Sequence, residues 1–281
     1  MTQVQRNAAY FATQVDTTEG ERLVSSAHLR DPHVRDGLRR VGLRPGAKVI
    51  DIGCGPLGAL LVLAELVGPT GTVVGLDMDA PSLQRARTIL DQHGHTHVHL
   101  VHANLTTMSP TAVCPPGPFD VAVCCQFLNN QPNPVDTLRR IAACVRSGGH
   151  LVVHSPLFFA PVPRSEPEVP ALARVMPWVG EVMRRRGATP EVATRSHALC
   201  QAAGLREVSQ RGFFLAEAAE AGAHLRMLHD MVVGLRAALV QEGVASAGDV
   251  DDVLHQLHEA ATWEFQVYCM GLHVELIAQV P

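Results

Sequence analysis

The segment VIDIGCGPLG, residues 49–58, constrains the fold of this chain more than any other part of it. An apolar run predicted as a strand ends here in Asp51, three closely spaced glycines follow, and a helical pattern begins directly after them: Gly53, Gly55 and Gly58. Glycines at such a turn let the backbone approach a bound ligand closely. Beyond it, short apolar runs alternate with helical patterns to the end of the chain. This alternation predicts an α/β fold with a parallel sheet.

The pattern divides the 281 residues into three segments. Residues 1–45 are predicted as an N-terminal helical cap, with separate helices before and after Pro32. Residues 46–216 form the predicted core, in which the segment 155–190 carries too many prolines for one regular element and is interpreted as a lid. Residues 217–281 hold two long helical patterns and a closing strand. Inserted elements of this kind often carry substrate specificity.

Composition excludes several classes of partner. The chain has 23 Lys+Arg against 27 Asp+Glu and no basic stripe, which argues against binding of nucleic acid. It contains no apolar run of about 18 residues, so no membrane span is predicted. Its N-terminus lacks the apolar core of a signal peptide, and we expect a cytoplasmic protein. The apolar side chains of the lid and of the first inserted helix favour a small-molecule substrate. Whether the chain forms a homo-oligomer is left open.

No metal site is predicted. The seven cysteines show no CxxC spacing, and His255 and His258 share a helix face without a nearby Cys or third His.

The glycine spacing allows a first functional hypothesis. Gly53-x-Gly55-x-x-Gly58 fits the dinucleotide fingerprint, and Asp77 ends a second predicted strand at about the expected distance. This pattern would suit an NAD(P)-dependent oxidoreductase. Asp51 argues against it, because a carboxylate in the cofactor crevice repels a pyrophosphate and attracts an ammonium group. The only lysine, Lys48, also leaves no Tyr-x-x-x-Lys pair.

At these residues the chain resembles the class I S-adenosylmethionine-dependent methyltransferases. The sequence D-I-G-C-G, from Asp51 through Gly53, Cys54 and Gly55, matches the first motif of that family, and the resemblance extends over residues 45–215. VVGLDMD, residues 73–79, resembles the second motif. It implies that Asp77 accepts both ribose hydroxyls and that Met78 packs on the adenine.

Three further matches are less specific. HANL resembles the third motif and implies that Asn104, followed by Leu105, accepts from the adenine amino group; a loop cap is the alternative. FDVAVCCQFLNN resembles the fourth-strand motif and places Gln126 beside the cofactor, unless it is an unliganded strand-end amide. YFATQVDTTEGERL resembles a helical opening and implies that Tyr10 closes the pocket, with ordinary helix packing as the alternative.

The resemblance implies a Rossmann-like, mostly parallel sheet of seven strands in the order 3-2-1-4-5-7-6, with the last strand antiparallel and with inserted lid helices. It also implies S-adenosyl-L-methionine as cofactor and methyl transfer to carbon, nitrogen or oxygen. The cap, lid and insertion resemble natural-product and quinone-type methyltransferases of high-GC bacteria, which favours an aromatic or indole-like acceptor. A protein that binds S-adenosylmethionine without methylating, such as a regulator or cyclase, is the third hypothesis.

A general base is useful if the acceptor must lose a proton, and histidine is the default candidate. His154 is predicted at the carboxyl end of the fifth strand, where ligands of open α/β sheets bind, and is the first candidate. A structural role under the lid is its alternative. His28 in the cap and His229 in the insertion are further candidates.

Overall fold

A computed structural model describes residues 17–107, 109, 117–159, 164–216, 221–265 and 267–281. The α-helices of the described residues are α1 Thr17–Arg40, α2 Leu60–Val67, α3 Ala80–Gln92, α4 Pro134–Ala142, α5 Leu172–Arg185, α6 Val192–Ala203, α7 Ala221–Gln241 and α8 Ala247–Ala260. The strands are β1 Lys48–Ile52, β2 Thr72–Asp77, β3 His99–His102, β4 Phe119–Cys125, β5 Val145–Pro156, β6 Arg164–Glu166, β7 Arg206–Ala216 and β8 Val267–Gln279.

The strands form one sheet in which β3, β2, β1, β4 and β5 follow each other in parallel. The closing strand β8 is antiparallel to its neighbours. Ile277 of β8 pairs with Val152 of β5 and with Ser209 of β7, so β8 lies between these two strands. If the three-residue β6 is left out and β7 and β8 are counted as the sixth and seventh strands, the order is 3-2-1-4-5-7-6. The fold predicted from the resemblance is therefore confirmed.

The central strands are buried on both faces, which explains why their sequences are continuous apolar runs. Ile50 and Ile52 of β1 belong to an apolar cluster completed by α4 and α6, whereas Val49 belongs to a second cluster completed by α1, α2 and α3. A third cluster joins α5, α7 and α8. The sheet is thus covered by helices on both faces, and the third cluster forms a separate layer.

The prediction of separate helices around Pro32 is wrong, because α1 runs through this proline. A proline inside a helix removes a hydrogen bond and costs about 3 kcal/mol or more. The buried residues Ala27, Val34 and Leu38 recur at helical spacing and pack against the sheet. The free energy gained by burying this apolar face therefore outweighs the tendency of proline to end the helix.

The lid segment also differs from its prediction. Residues 155–190 contain the regular helix α5, and Pro177 lies inside it. Val175, Val179 and Val182 of α5 are buried against α7 and α8. The division into cap, core and insertion stays a prediction.

None of the described helices combines the length and the apolar character needed to cross a membrane.

Candidate functional site

A cavity of about 520 Å³ opens at the carboxyl ends of the parallel strands. Its described lining includes the glycine loop after β1, the ends of β2 and β4, and residues of α1, α5 and α7. This volume lies within the range of small-molecule sites, about 300 to 1,000 Å³. The cavity is therefore the candidate site, at the place that the topology predicts for a ligand.

The glycine loop is tied to the end of β2. The backbone N–H groups of Gly53 and Cys54 donate to the carbonyl of Leu76 at 2.8 and 3.1 Å. Burial raises the pKa of the Cys54 thiol well above its usual range. Cys54 thus contributes a neutral thiol to the wall of the site, and this thiol is not a nucleophile.

Asp77 lies in the cavity wall at the end of β2. Its two carboxylate oxygens accept from the backbone N–H groups of Gly55 at 2.7 Å and Asp79 at 2.8 Å. Burial raises the pKa of Asp77 above its ordinary value. Each carboxylate oxygen has two lone pairs, so both still have capacity for one ligand hydroxyl.

Met78 follows Asp77 and also lines the cavity, with 37% of its surface exposed. A polarizable thioether open to a cavity offers a contact surface for a flat ring. The placement of Met78 thus fits the adenine contact that the resemblance implies.

Asp51 lies beneath the glycine loop and is fully buried. Its Oδ2 accepts from the backbone N–H of Ala59 at 2.6 Å, and no described residue donates to its buried Oδ1. Desolvation by burial raises the pKa of Asp51 to about 7, against the opposing effects of the Ala59 N–H and the Arg30 guanidinium. A buried carboxylate oxygen without a partner is costly. Asp51 is not part of the described cavity lining, so an ammonium group in the cavity would act on it across the glycine loop.

Arg30 is a site residue that the sequence analysis missed. It lines the cavity from α1 and is buried; its guanidinium donates to Ser26 Oγ at 2.6 Å, and no described residue accepts from its Nε. Burial lowers the pKa of Arg30, whereas Cys125 and Asp51 raise it. A guanidinium beside a buried carboxylate suits a zwitterionic amino-acid group. The sequence feature that could have identified Arg30 is its position among the regularly spaced apolar residues of α1.

Asn104 and Leu105 both line the cavity after β3. The side-chain oxygen of Asn104 accepts from the backbone N–H of Thr106 at 2.9 Å and from its hydroxyl at 2.7 Å. Both lone pairs of the amide oxygen are thereby engaged. A bond from an adenine amino group would have to replace one of them, so the geometry favours the loop-cap alternative for Asn104.

Gln126 follows β4, lines the cavity and has a left-handed backbone with φ of 54°. Its N–H donates to the carbonyl of His154 at 2.8 Å, and its own carbonyl accepts from Asn130 Nδ2 at 2.8 Å. A non-glycine residue in this conformation persists only where its surroundings hold it. The side chain of Gln126 reaches to 3.5 Å from Nε2 of His273.

The structure does not place His154 at the cavity. Its ring is fully buried, and its Nε2 lies 3.1 Å from Oε2 of Glu275. Glu275 also pairs with Arg40 and with Arg211. Burial lowers the pKa of His154, although the Glu275 carboxylate acts in the opposite direction. The side chain at this position of β5 faces an internal ion network, and not the acceptor as predicted.

The other predicted histidines lie on helix surfaces. His28 is about half exposed, with its Nδ1 3.3 Å from Asp31, and His229 has its Nδ1 3.1 Å from Asp230. Neither is part of the described cavity lining. Tyr10 lies outside the described residues. The described lining contains one histidine, His273 of β8, which the sequence analysis did not single out.

Within the described ranges, no group of three or more His, Cys, Asp and Glu side chains is arranged to hold a metal ion.

A family model described as a methyltransferase domain matches residues 43–187, just over half of the chain. The chain belongs to this family. It is a class I member, and the cofactor of that class is S-adenosyl-L-methionine. The glycine loop, Asp77 and the Arg30–Asp51 pair fit this cofactor, since they offer partners for a ribose and for an amino-acid group.

Curated relatives match part of the chain. Demethylmenaquinone methyltransferase of Anoxybacillus flavithermus is 30% identical over 118 residues, 42% of this chain and 48% of its own. Ubiquinone biosynthesis O-methyltransferase of Thiobacillus denitrificans is 35% identical over 104 residues, 37% of this chain and 42% of its own. The chain thus spans about half the length of these relatives or less.

A solved structure shows the same fold over more of the chain. The cyclase SpnF superposes with a TM-score of 0.53 at 16% identity, over 89% of this chain and 81% of its own. At this identity the likeness concerns the fold alone.

The buried carboxyl of Asp51 predicts proton release when the protein binds S-adenosylhomocysteine. With a pKa of about 7, Asp51 is mostly protonated near pH 6, and a nearby ammonium group favours its ionised form. We therefore expect release of about one proton per bound S-adenosylhomocysteine near pH 6 and almost none near pH 8.5. Calorimetry in buffers of different ionisation enthalpy measures this number.

Asp51→Asn is the matched variant, because it keeps the shape of the side chain and removes the titration. Proton release that is the same at both pH values, or that persists in Asp51→Asn, contradicts the assignment of Asp51.

Proposed function

We propose that the chain transfers a methyl group from S-adenosylmethionine to a small aromatic acceptor, of the quinol or indole-like type found among natural-product intermediates. The observation that carries this proposal is the continuity of one cavity. It runs from the glycine loop and Asp77 to an apolar end under α5 and α7. The bound cofactor would supply an electrophilic methyl group, and the residues of the chain would place an acceptor behind it.

At the cofactor end, three groups support binding of S-adenosylmethionine. Asp77 offers carboxylate oxygens to the ribose, and Met78 offers an exposed thioether to the adenine. Arg30 lines the cavity and would meet the carboxylate of the methionine group, and the negative charge of Asp51, buried behind the glycine loop, would favour its ammonium group. Charge-assisted hydrogen bonds of this kind are the stronger ones.

At the acceptor end, the lining is apolar and rich in methionine. The residues that form it come from the lid and from α7: Phe158, Met176, Val179, Met227, Leu228 and Met231. Methionine side chains adapt to flat apolar ligands. A covered pocket of this chemistry suits a compact ring rather than a protein or nucleic-acid chain.

The names of both relatives refer to quinones, and this supports a quinol-like acceptor for the present chain. The indole-like alternative fits the same apolar lining. The main contribution of the chain to rate would be proximity, since the lid and α7 hold the acceptor against the cofactor and keep water out. The absence of nucleic-acid partners and the cytoplasmic location stay predictions.

A screen for methylated products tests the proposal. The purified protein is incubated with S-adenosylmethionine and a panel of naphthoquinols, hydroxynaphthalenes and indoles, and mass spectrometry records a gain of one methyl group. We expect product with at least one fused-ring acceptor. A protein that binds the cofactor but methylates none of the ring compounds contradicts the proposed acceptor class and favours the non-methylating alternative.

Two variants of α7 localise the acceptor. Met231 lines the cavity, whereas Val233, two residues further along the same helix, is 49% exposed. Met231→Trp is expected to raise the KM for the ring acceptor by about tenfold while S-adenosylhomocysteine binds within a few-fold of the wild type. Val233→Trp is the control and should change neither quantity. Equal effects of the two variants would contradict the placement of the acceptor under α7.

A further inference from the structure

His273 lies in the wall of the cavity, on the closing strand β8. It is buried, and it faces Pro156 of β5, which also lines the cavity. The ring of Phe213 stacks on it with centroids 5.6 Å apart and planes inclined by 22°. His273 is therefore an imidazole of fixed orientation within the candidate site.

His273 lies where the two ends of the cavity meet. Its Nε2 is 3.5 Å from Nε2 of Gln126, the residue that follows β4. Phe127, the next residue, packs against the glycine loop: a Cβ atom added at Gly53 would lie 2.3 Å from its ring. Pro156 and Phe158 continue the wall from His273 towards the lid. The imidazole thus lies in the cavity wall among residues of both ends.

We propose that His273 accepts the proton that the acceptor loses, and that the acceptor is a ring compound with an acidic O–H or N–H group, such as a phenol, a quinol or a ring amine. This inference rests on the proposed function. As the acceptor oxygen or nitrogen forms its bond to the methyl carbon, the bond from that carbon to sulfur breaks and its electron pair stays on sulfur. The acceptor proton passes to Nε2 of His273, and from there to water.

Charged groups of both signs lie near His273. Glu275 lies two residues further along β8, on the same face of the strand, and its carboxylate would stabilise an imidazolium. The ring of His154 also lies near Phe213, with centroids 5.2 Å apart, and it is paired with Glu275. The other charged or titratable groups near this face, among the described residues, include His33 of α1, which stacks on Phe213, and also Arg30, Arg40, Arg211 and Asp36, which pairs with Arg211.

Gln126 is a positioning residue in this arrangement. Its backbone is held by the His154 carbonyl and the Asn130 amide, so the side chain is fixed beside His273. An amide N–H that points at Nε2 requires the proton of the neutral imidazole to be on Nδ1. A hydroxyl of the acceptor that donates to Nε2 takes the place of this 3.5 Å contact with the Gln126 amide.

Binding of two matched probes tests the inference. The protein is saturated with S-adenosylhomocysteine and titrated calorimetrically with 1-naphthol and with 1-methoxynaphthalene, the compound that naphthol methylation would yield. The wild type should bind the naphthol about tenfold more tightly, as expected for one hydrogen bond to a buried acceptor. His273→Phe keeps an aromatic ring and should lose this preference. His255→Phe, at a side chain that is 68% exposed on α8, should keep it.

The pH dependence of naphthol methylation gives a second readout. If His273 accepts the proton, kcat/KM in the wild type falls on the acid side as the imidazole is protonated, and His273→Asn flattens this limb.

Each outcome separates the inference from the function on which it rests. Failure of the wild type to prefer naphthol, or a preference that survives in His273→Phe, overturns the role of His273 even where S-adenosylhomocysteine binds normally. Failure of the wild type to bind S-adenosylhomocysteine overturns the proposed function itself.

Discussion

Replacing Asp77 by Ala is expected to weaken S-adenosylhomocysteine binding by about a hundredfold to ten-thousandfold. The carboxylate is the acceptor available to two ribose hydroxyls, and each hydrogen bond to a buried charged group is worth about 1.5 to 3 kcal/mol. Asp77→Asn keeps one acceptor oxygen and should lose less. Calorimetric titration measures the change.

The same carboxylate also holds the backbone of Gly55 and Asp79, so thermal unfolding is followed for each variant. Asp91→Ala, on the exposed surface of α3, removes a carboxylate of the same net charge and is the control. An affinity of Asp77→Ala within threefold of the wild type would show that the ribose is bound elsewhere.

Replacing Gly58 by Ala should destabilise the fold by about 2 to 4 kcal/mol. A Cβ atom at this position would lie 2.3 Å from Oδ2 of Asp51 and 2.8 Å from the carbonyl oxygen of Cys54, at a φ of 54°. Backbone and a buried carboxylate cannot both move away cheaply. Denaturant unfolding of the wild type and the variant measures the loss.

Gly55→Ala is the matched control, because its φ of 53° carries nearly the same left-handed strain but no atom lies within 4 Å of the added Cβ. We expect it to cost only about 1 kcal/mol of stability while its methyl group enters the cavity and weakens cofactor binding. Equal losses of stability in the two variants would show that strain, and not the packing of Asp51, requires glycine at position 58.

The cofactor end of the site could be predicted from the sequence because its signals are local. The bounds of β1 follow from an apolar run that stops at the glycine turn, and a carboxylate at the end of β2 marks the ribose position. The packing of Asp51 beneath the loop and the placement of Asp77 and Met78 in the cavity wall agree with this interpretation.

The helices that cover the cavity could not be delimited in the same way. Proline reliably ends a helix only where local conformational preferences determine the structure. At Pro32 and Pro177, buried apolar faces of α1 and α5 keep the helix intact. Such packing depends on residues distant in sequence, so the local pattern does not contain it.

The histidine that reaches the cavity could not be identified from the sequence either. His154 and His273 both lie near the carboxyl end of the sheet, on adjacent antiparallel strands. The pairing is offset, so that His154 lies opposite Glu275 and His273 lies opposite Pro156. Which histidine lines the cavity therefore depends on this register. Two residues along the strands separate the position beside the ion network from the position in the cavity wall.

Parallel calorimetric titrations of the purified protein with S-adenosylmethionine, S-adenosylhomocysteine and NAD decide between a methyltransferase and a nicotinamide enzyme. We expect micromolar binding of the two adenosyl ligands and no binding of NAD. Binding of NAD without binding of either adenosyl ligand would contradict the assignment of Asp51 and, with it, the proposed methyl transfer.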